Sequence, residues 1–203
     1  MIRTLRQARR LARALDPSMT SLHTERLELR PFTLDDAAAY WPLVSDPDVL
    51  RHTGEAPLAS LADVRELLSS RPLRDYDVNG YGRLACVERT TGQLVGFCGL
   101  KYLEDLGETD IGYRFLPQCW GRGYATESAR AVMRHGADTL KLSRIIGLVE
   151  PDNGGSVRVL EKLGLTFESL ITVEDHSVEL LLYAQPGPGS NNSFKPKPLR
   201  GSA

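Results

Sequence analysis

The chain has 203 residues, a length that indicates one domain with added ends, and its 41% hydrophobic and 25% charged content is ordinary for a water-soluble globular protein. The formal net charge of −1 predicts no direct nucleic-acid partner, and no apolar run reaches the roughly 20 residues that span a bilayer. Three widely spaced cysteines, an odd number, favour free thiols and a cytoplasmic protein.

The two ends of the chain differ in composition from its middle. Residues 1–20 carry five arginines before the first acid, with apolar residues at helical spacing, which predicts a basic amphipathic extension. A solvated appended helix is favoured, and a membrane-surface or transit-type helix is the alternative. Residues 186–203 are rich in Pro, Gly and Ser and are predicted to form a flexible tail. The folded domain is therefore expected over residues 21–185.

Within this domain, apolar periodicity predicts the element order βααβββαβαββ. Strands are expected over 22–30, 81–88, 93–102, 109–116, 142–149, 166–173 and 177–184, and helices over 33–44, 60–68, 124–140 and 155–163. The middle strands form an antiparallel meander, and the following strand–helix–strand crossover should be parallel and right-handed. The fold class is therefore α/β (α+β), with a mixed, mostly antiparallel sheet and flanking helices.

The loop between the strand 109–116 and the helix 124–140 contains two glycines, Gly121 and Gly123. A strand that passes through glycines into a helix start presents several backbone N–H groups to one point, and the helix dipole adds partial positive charge there. Glycine lets a ligand approach the backbone because it has no side chain. The loop therefore predicts a site for a phosphate or a pyrophosphate.

Two common phosphate sites fit this loop poorly. A nucleotide triphosphatase loop requires Gly-Lys followed by Ser or Thr, which the chain lacks. A dinucleotide fingerprint is matched at two of three small positions in 121–126, and Glu150 ends the next strand, where a ribose-binding acid would stand. However, the preceding strand is the third of a meander and no further βαβ units follow, which disfavours a dehydrogenase.

Several ordered segments resemble the GNAT superfamily of N-acetyltransferases, and most closely its ribosomal-protein N-terminal acetyltransferase branch. They are Thr24-Glu-Arg-Leu-Glu-Leu-Arg-Pro-Phe, Asp110-Ile-Gly-Tyr-Arg-Phe-Leu-Pro, Trp120-Gly-Arg-Gly-Tyr-Ala-Thr-Glu, and Asn153-x-x-Ser156 before Leu-Glu-Lys-Leu-Gly. The resemblance covers roughly residues 21–185, and the combination is far more specific than any one segment.

This resemblance implies that acetyl-CoA binds in a cleft between two parallel strands that diverge from each other. The pantetheine would pair with the backbone of Phe115 and Leu116, a backbone N–H on the same strand would polarise the acetyl carbonyl, and Asn153 would contact the pantetheine or order its loop. The pyrophosphate would bind the loop that Gln118 begins, through Gly121, Arg122, Gly123, Tyr124, Ala125 and Thr126. No metal is implied.

Acetyl transfer to an amine needs positioned reactants, a base for the ammonium and, in some enzymes, an acid for the thiolate. Many relatives use a tyrosine acid where this chain has Leu160, so the resemblance assigns the thiol side to Ser156, a helix cap being the alternative. The base is left open among four carboxylates, with Asp110 and Glu174 first; the others are Glu108 and Asp175.

The four histidines show no paired metal spacing, and His52 is interpreted as a plain loop residue, with a place in the lining of the acceptor cleft as the alternative. The acceptor is expected to be a primary amine, with a protein N-terminus first because of the branch that the chain resembles. Small amines such as amino acids, polyamines and aminoglycosides remain alternatives, as does a non-catalytic CoA-binding sensor. The protein is expected to be a monomer or a homodimer.

Overall fold

The computed structural model describes residues 21–173 and 178–185 of the chain. In these residues eight strands form one sheet in the order β1-β2-β3-β4-β5-β6-β8-β7. The strands are β1 (Leu22–His23), β2 (Leu27–Arg30), β3 (Arg83–Glu88), β4 (Leu94–Leu103), β5 (Glu108–Phe115), β6 (Ile146–Val149), β7 (Thr166–Ile171) and β8 (Leu180–Ala184). The predicted extension 1–20 and tail 186–203 lie outside the described residues.

Six α-helices flank this sheet in the described part of the chain. They are α1 (Ala37–Ser45), α2 (Pro47–Leu50), α3 (Leu61–Leu68), α4 (Arg74–Asn79), α5 (Tyr124–Asp138) and α6 (Gly154–Lys162). Short 3-10 turns precede α1 and follow β5 (Leu34–Asp36 and Pro117–Cys119), and a π turn (Ser69–Leu73) joins α3 to α4. No helix among the described residues is long and apolar enough to cross a membrane.

The sheet is antiparallel except between β5 and β6, as the predicted crossover requires. These two strands are parallel and pair only at Asp110 and Ile146, after which they separate. The space between them beyond this pair is called the interstrand gap below. The predicted fold class is confirmed: a mixed, mostly antiparallel sheet with one central crossover and flanking helices.

A hydrophobic core covers each face of the sheet. On one face α5 packs against β4 and β5, and the buried side chains include Ile111, Phe115, Tyr124, Ala129, Val132 and Met133. On the other face α1 and α3 cover β3 and β4, with Phe32, Tyr40, Leu43, Val64, Leu68 and Ala85 buried. The interstrand gap lies in the plane of the sheet between these two layers, where the facing edges of β5 and β6 are no longer paired.

Two of the predicted strands have wrong boundaries, each for a local reason. The strand 22–30 is two strands, because Thr24 makes a turn in which its N–H donates to the Leu27 carbonyl and its hydroxyl accepts the Leu27 N–H. The strand 142–149 begins at Ile146, since Lys141 has a positive φ of 57° and the chain after it is irregular. The predicted helix 60–68 is present as α3 with Ser60 as its N-cap, and the π turn that accommodates Pro72 joins it to α4, a helix that the sequence analysis did not predict.

Candidate active site

The open edge of β5 lines one side of the interstrand gap. The Leu116 N–H donates to the Val95 carbonyl at 3.0 Å, so it faces β4 and not the gap. Because backbone groups alternate in direction along an antiparallel pair, the N–H groups of Tyr113 and Phe115 face the gap. The Phe115 carbonyl accepts the Trp120 indole N–H at 2.7 Å. Of the two predicted pantetheine contacts, only Phe115 therefore offers its N–H to the gap.

The glycine loop continues from β5 into α5 without any side-chain cap. Gly121 and Gly123 have positive φ values of 71° and 82°, and Gly123 is the N-cap of the helix. The first helical hydrogen bond runs from the Glu127 N–H to the Gly123 carbonyl at 3.0 Å. The N–H groups before it, those of Tyr124, Ala125 and Thr126, are therefore the unsatisfied donors of the helix start. Together with the helix dipole they suit a pyrophosphate.

A strand–turn contact holds this loop in place. The Glu127 carboxylate accepts hydrogen bonds from the Thr24 hydroxyl at 2.6 Å, the Arg26 N–H at 2.9 Å and the Arg26 Nε at 2.7 Å. The Arg26 guanidinium also donates to the Arg122 carbonyl at 2.9 Å and lies 4.5 Å from the ring centre of Tyr124. The first turn of α5 is thus fixed to the β1–β2 hairpin.

The remaining predicted loop residues lie around these backbone donors. Arg122 is exposed and pairs with Glu88 at 3.3 Å, while its guanidinium lies 4.8 Å from the Tyr124 ring centre. Tyr124 is buried, and its hydroxyl donates to Glu88, which raises the pKa of that phenol. Gln118 is an exposed residue of the 3-10 turn that precedes the glycines.

The second loop brings Ser156 against β5. The Asn153 side chain caps α6 by accepting the Ser156 N–H at 3.1 Å, so the cap is Asn153 and not Ser156. The Ser156 hydroxyl lies 2.9 Å from the Tyr113 hydroxyl, which also donates to the Ser156 carbonyl at 3.1 Å. Burial raises the pKa of Tyr113, so this phenol stays protonated at neutral pH. The sequence analysis assigned no role to Tyr113, because this contact joins residues that are far apart in the chain.

The predicted carboxylates are found in different settings. Asp110 is buried, with one oxygen 2.5 Å from the Arg83 guanidinium and the other accepting the Leu148 N–H at 3.2 Å across the strand junction. Burial raises the pKa of Asp110 despite the arginine. Glu108 accepts a hydrogen bond from Arg144 at 2.9 Å. Glu174 and Asp175 lie outside the described residues.

A segment after α2, residues 52–55, crosses the interstrand gap on the α1 side and is called the front segment. At one end, His52 Nδ1 lies 2.9 Å from a Glu150 oxygen and 3.4 Å from an Asp152 oxygen, just after β6. At the other end, Glu55 pairs at 2.6 Å with Arg114 of β5. Sequence reasoning named Glu150 only for a dinucleotide site and missed this bridge.

A pocket of about 520 Å³ opens beside the front segment. Its apolar lining comes mainly from the helices and from the chain after the front segment: Val44, Leu50, Ala56, Leu58 and Leu67. Its charged groups are Glu55, Arg71 and Lys101, and Glu55 is paired with both Arg71 and Arg114. The pocket therefore combines apolar side chains with charged groups of both signs.

The comparisons with known proteins agree with this geometry. The acetyltransferase (GNAT) domain family matches residues 26–166, which include β2, the glycine loop and the second loop. This chain belongs to the GNAT acetyltransferase family. A Bacillus licheniformis protein named uncharacterized N-acetyltransferase p20 is 30% identical over 155 residues, 75% of this chain and 86% of that protein. YkkB of Bacillus subtilis is 31% identical over 157 residues, 75% of this chain and 88% of that protein.

Solved GNAT structures have the same fold. An acetyltransferase from Agrobacterium tumefaciens aligns with a TM-score of 0.71 at 27% identity, over 83% of this chain and 95% of its own. RimL, a ribosomal L7/L12 α-N-protein acetyltransferase in complex with coenzyme A, aligns with a TM-score of 0.70 at 19% identity, over 82% of this chain and 97% of its own. Acetyl-CoA is the acetyl donor of the GNAT fold, and the start of α5 has no side-chain cap, so its backbone N–H groups suit an anionic group such as a pyrophosphate.

Proposed function

We propose that this acetyltransferase moves the acetyl group of acetyl-CoA directly to a primary amine, and that the acceptor is the α-amine of a protein N-terminus. The observation that carries the direct transfer is a set of backbone N–H donors in two neighbouring places. They belong to Tyr113 and Phe115 in the interstrand gap and to Tyr124, Ala125 and Thr126 at the start of α5. A thioester and a pyrophosphate joined by an extended arm match such a set.

In this arrangement the acetyl carbonyl lies against β5 and the sulfur lies near Ser156. The Tyr113 N–H supports the oxygen as negative charge develops on it during attack. The amine nitrogen forms a bond to the carbonyl carbon, and the bond from carbon to sulfur then breaks. The Ser156 hydroxyl, held by the Tyr113 phenol at 2.9 Å, donates a hydrogen bond or a proton to the departing thiolate.

The pocket beside the front segment supports a peptide acceptor. Its apolar wall suits a side chain of the first residues of a peptide, and Arg71 and Lys101 suit the carbonyl oxygens of its backbone. A polyamine would bring further positive charges next to these two cations, which like-charge repulsion disfavours. The ammonium group of the acceptor would instead lie near the negative charges of Glu150 and Asp152. These two carboxylates lie across the interstrand gap from Glu55 of the pocket.

A small-molecule amine is the second candidate, because two named relatives act on such acceptors. FsC-acetyl coenzyme A-N(2)-transacetylase of Aspergillus fumigatus is 28% identical over 154 residues, 72% of this chain and 65% of that protein. Spermidine N(1)-acetyltransferase of Escherichia coli K12 is 22% identical over 151 residues, 74% of this chain and 77% of that protein. The carboxylates of Glu150 and Asp152 would attract a cationic amine in either case.

The test is an acetyl-transfer assay on the full chain with a panel of amines, followed by mass spectrometry. The panel holds pentapeptides with free and with blocked N-termini, spermidine, free amino acids and an aminoglycoside. We expect acetyl-CoA-dependent acetylation of free N-termini and none of blocked ones. Preferred turnover of spermidine or the aminoglycoside would replace the peptide acceptor by the second candidate. Binding of acetyl-CoA with no transfer to any amine would contradict the proposal and favour a sensor.

A further inference from the structure

None of the candidate bases that the sequence suggests is shown as free in the described residues. Asp110 is held by Arg83 and the Leu148 N–H, and Glu108 is held by Arg144. The ammonium of the acceptor must nevertheless lose a proton before its nitrogen can attack. The front segment offers a different group for this step, His52.

The position of His52 follows from the two ends of the front segment. Distances along the diverging strands β5 and β6 can be counted from Asp110 and Ile146, the one pair that joins them. At about 3.3 Å per residue, Tyr113 lies about 10 Å along β5 and Glu150 about 13 Å along β6. His52 is bound to Glu150 at this level, and three residues later Glu55 is bound to Arg114, which lies between Tyr113 and Phe115 on β5, so the front segment spans the gap at the level of these two residues.

The chemistry of the contact fixes the tautomer of His52. A carboxylate can only accept a hydrogen bond, so His52 Nδ1 must donate to Glu150, and Nε2 of the neutral ring is then the basic nitrogen. Within the described residues no hydrogen bond to Nε2 occurs. The His52 side chain is 27% exposed and Glu150 is 14% exposed, so the pair is partly shielded while the ring remains accessible. A carboxylate that orients a histidine is a recurrent arrangement for a general base.

We propose that His52 is the general base of the acetyl transfer and that Glu150 is its positioning residue. This inference rests on the proposed function. His52 Nε2 takes one proton from the acceptor ammonium, which frees the lone pair of the nitrogen for attack on the thioester. The second proton leaves the nitrogen as the tetrahedral intermediate collapses and reaches the coenzyme A thiolate on the Ser156 side. The imidazolium returns its proton to water, so one amide, one thiol and one proton are formed.

In the described part of the chain, carboxylates are the charged groups in contact with His52. Glu150 and Asp152 approach from the loop after β6. Glu55, with its partners Arg71 and Arg114, lies three residues further along the front segment. The nearest groups are therefore carboxylates, which stabilise the imidazolium that forms during the reaction. They also attract the cationic acceptor to the same point.

The experiment compares pH–rate profiles of wild type, His52→Gln and His23→Gln, using the amine that wild type acetylates fastest in the panel. His23 is an exposed histidine of β1 and serves as the matched control. For His52→Gln we expect kcat to fall about 100-fold at neutral pH, with the Kd for acetyl-CoA unchanged. Its rate should then rise about tenfold per pH unit up to the pKa of the amine, because the amine must lose its proton to water. His23→Gln should match wild type.

Three results would overturn the inference while leaving the acetyltransferase intact. One is an unchanged rate in His52→Gln. Another is an equal loss at every pH, which indicates a structural link only. The third is loss of wild-type activity in a chelator with recovery on adding zinc. This result would make His52, Glu150 and Asp152 a metal site. If His52→Gln fails to fold, His52→Asn decides by the same slope, and a flat profile overturns the inference. A wild type inactive on every amine overturns the proposed function itself.

Discussion

Arg26 and Glu127 lie 101 positions apart in the chain and form a two-point contact, with the Arg26 N–H and Nε donating to the two carboxylate oxygens at 2.9 and 2.7 Å. The contact joins the β1–β2 hairpin to the first turn of α5. It explains why the Thr-Glu-Arg and Gly-Tyr-Ala-Thr-Glu segments occur together, because the second carries the phosphate loop and the first holds it.

Glu127→Gln should loosen this loop. The neutral amide loses the charged hydrogen bonds with Arg26, which predicts a fall in unfolding free energy of about 2 kcal/mol and weaker binding of acetyl-CoA. Urea denaturation and calorimetric titration measure the two effects. Glu66→Gln, an exposed change on α3, is the matched control and should leave both unchanged. Equal behaviour of the two variants would show that the contact does not hold the loop.

The same carboxylate predicts a pH dependence of stability. Burial raises the pKa of Glu127, but the hydrogen bonds from Thr24 and Arg26 outweigh burial and leave this pKa below its ordinary value. A depressed pKa in the folded state stabilises the protein above the ordinary pKa, about 4.3, and this stability is lost as the pH falls through the folded value. Between pH 5 and 3, wild type should therefore lose more stability than Glu127→Gln in urea titrations. A parallel decline of both proteins would contradict the assignment.

Gly123→Glu should abolish binding of acetyl-CoA. The new carboxylate stands at the N–H groups that would hold the pyrophosphate, and we expect the Kd to rise at least 100-fold, or about 2.7 kcal/mol. Gly164→Glu is the matched control, since Gly164 has nearly the same φ, 83° against 82°, and open space around it. Both variants should lose similar backbone stability, about 1–2 kcal/mol, and only Gly123→Glu should lose the ligand in calorimetry. Retained binding in Gly123→Glu would remove the phosphate site from this loop.

The sequence predicted the parts of the site whose chemistry is local. The glycine loop is formed by neighbours in the chain, so turn and helix rules reveal it. The cap of α6 is also local, but the sequence offered Ser156 for it and the structure has Asn153. The contact of Tyr113 with Ser156 joins residues 43 positions apart, and that of His52 with Glu150 joins residues 98 positions apart. Such pairs depend on how the strands diverge and how loops cross them, and no local pattern encodes that.

Tyr113→Phe should reduce the effect of Ser156 on catalysis. Ser156→Ala should lower kcat about 10- to 100-fold with little change in the KM for acetyl-CoA, because it removes a group needed at the departing sulfur. Tyr113→Phe keeps the ring in the core and removes only the hydroxyl that holds Ser156, so a smaller fall in kcat is expected. The double variant should be no slower than Ser156→Ala, since the two hydroxyls act as one unit. Multiplying losses would show that Tyr113 and Ser156 act separately.

Substitution of Asp110 separates a structural role of this residue from a catalytic one. Its carboxylate joins Arg83 of β3 to the Leu148 N–H of β6, at the point where β5 and β6 separate. Removal of one member of a buried ion pair leaves the other uncompensated, so Asp110→Asn should lower the unfolding free energy by about 3 kcal/mol.

Arg83→Gln breaks the same pair from the other side and should cost a similar amount, with strong coupling in the double variant. As a structural residue, Asp110 would change the rate of the folded protein by the same factor at every pH. If Asp110 were the base, the rate of Asp110→Asn would rise tenfold per pH unit. The rate of Arg83→Gln would not show this rise. We expect the first pattern, because both oxygens of Asp110 are already bound and a base must receive a proton from the substrate.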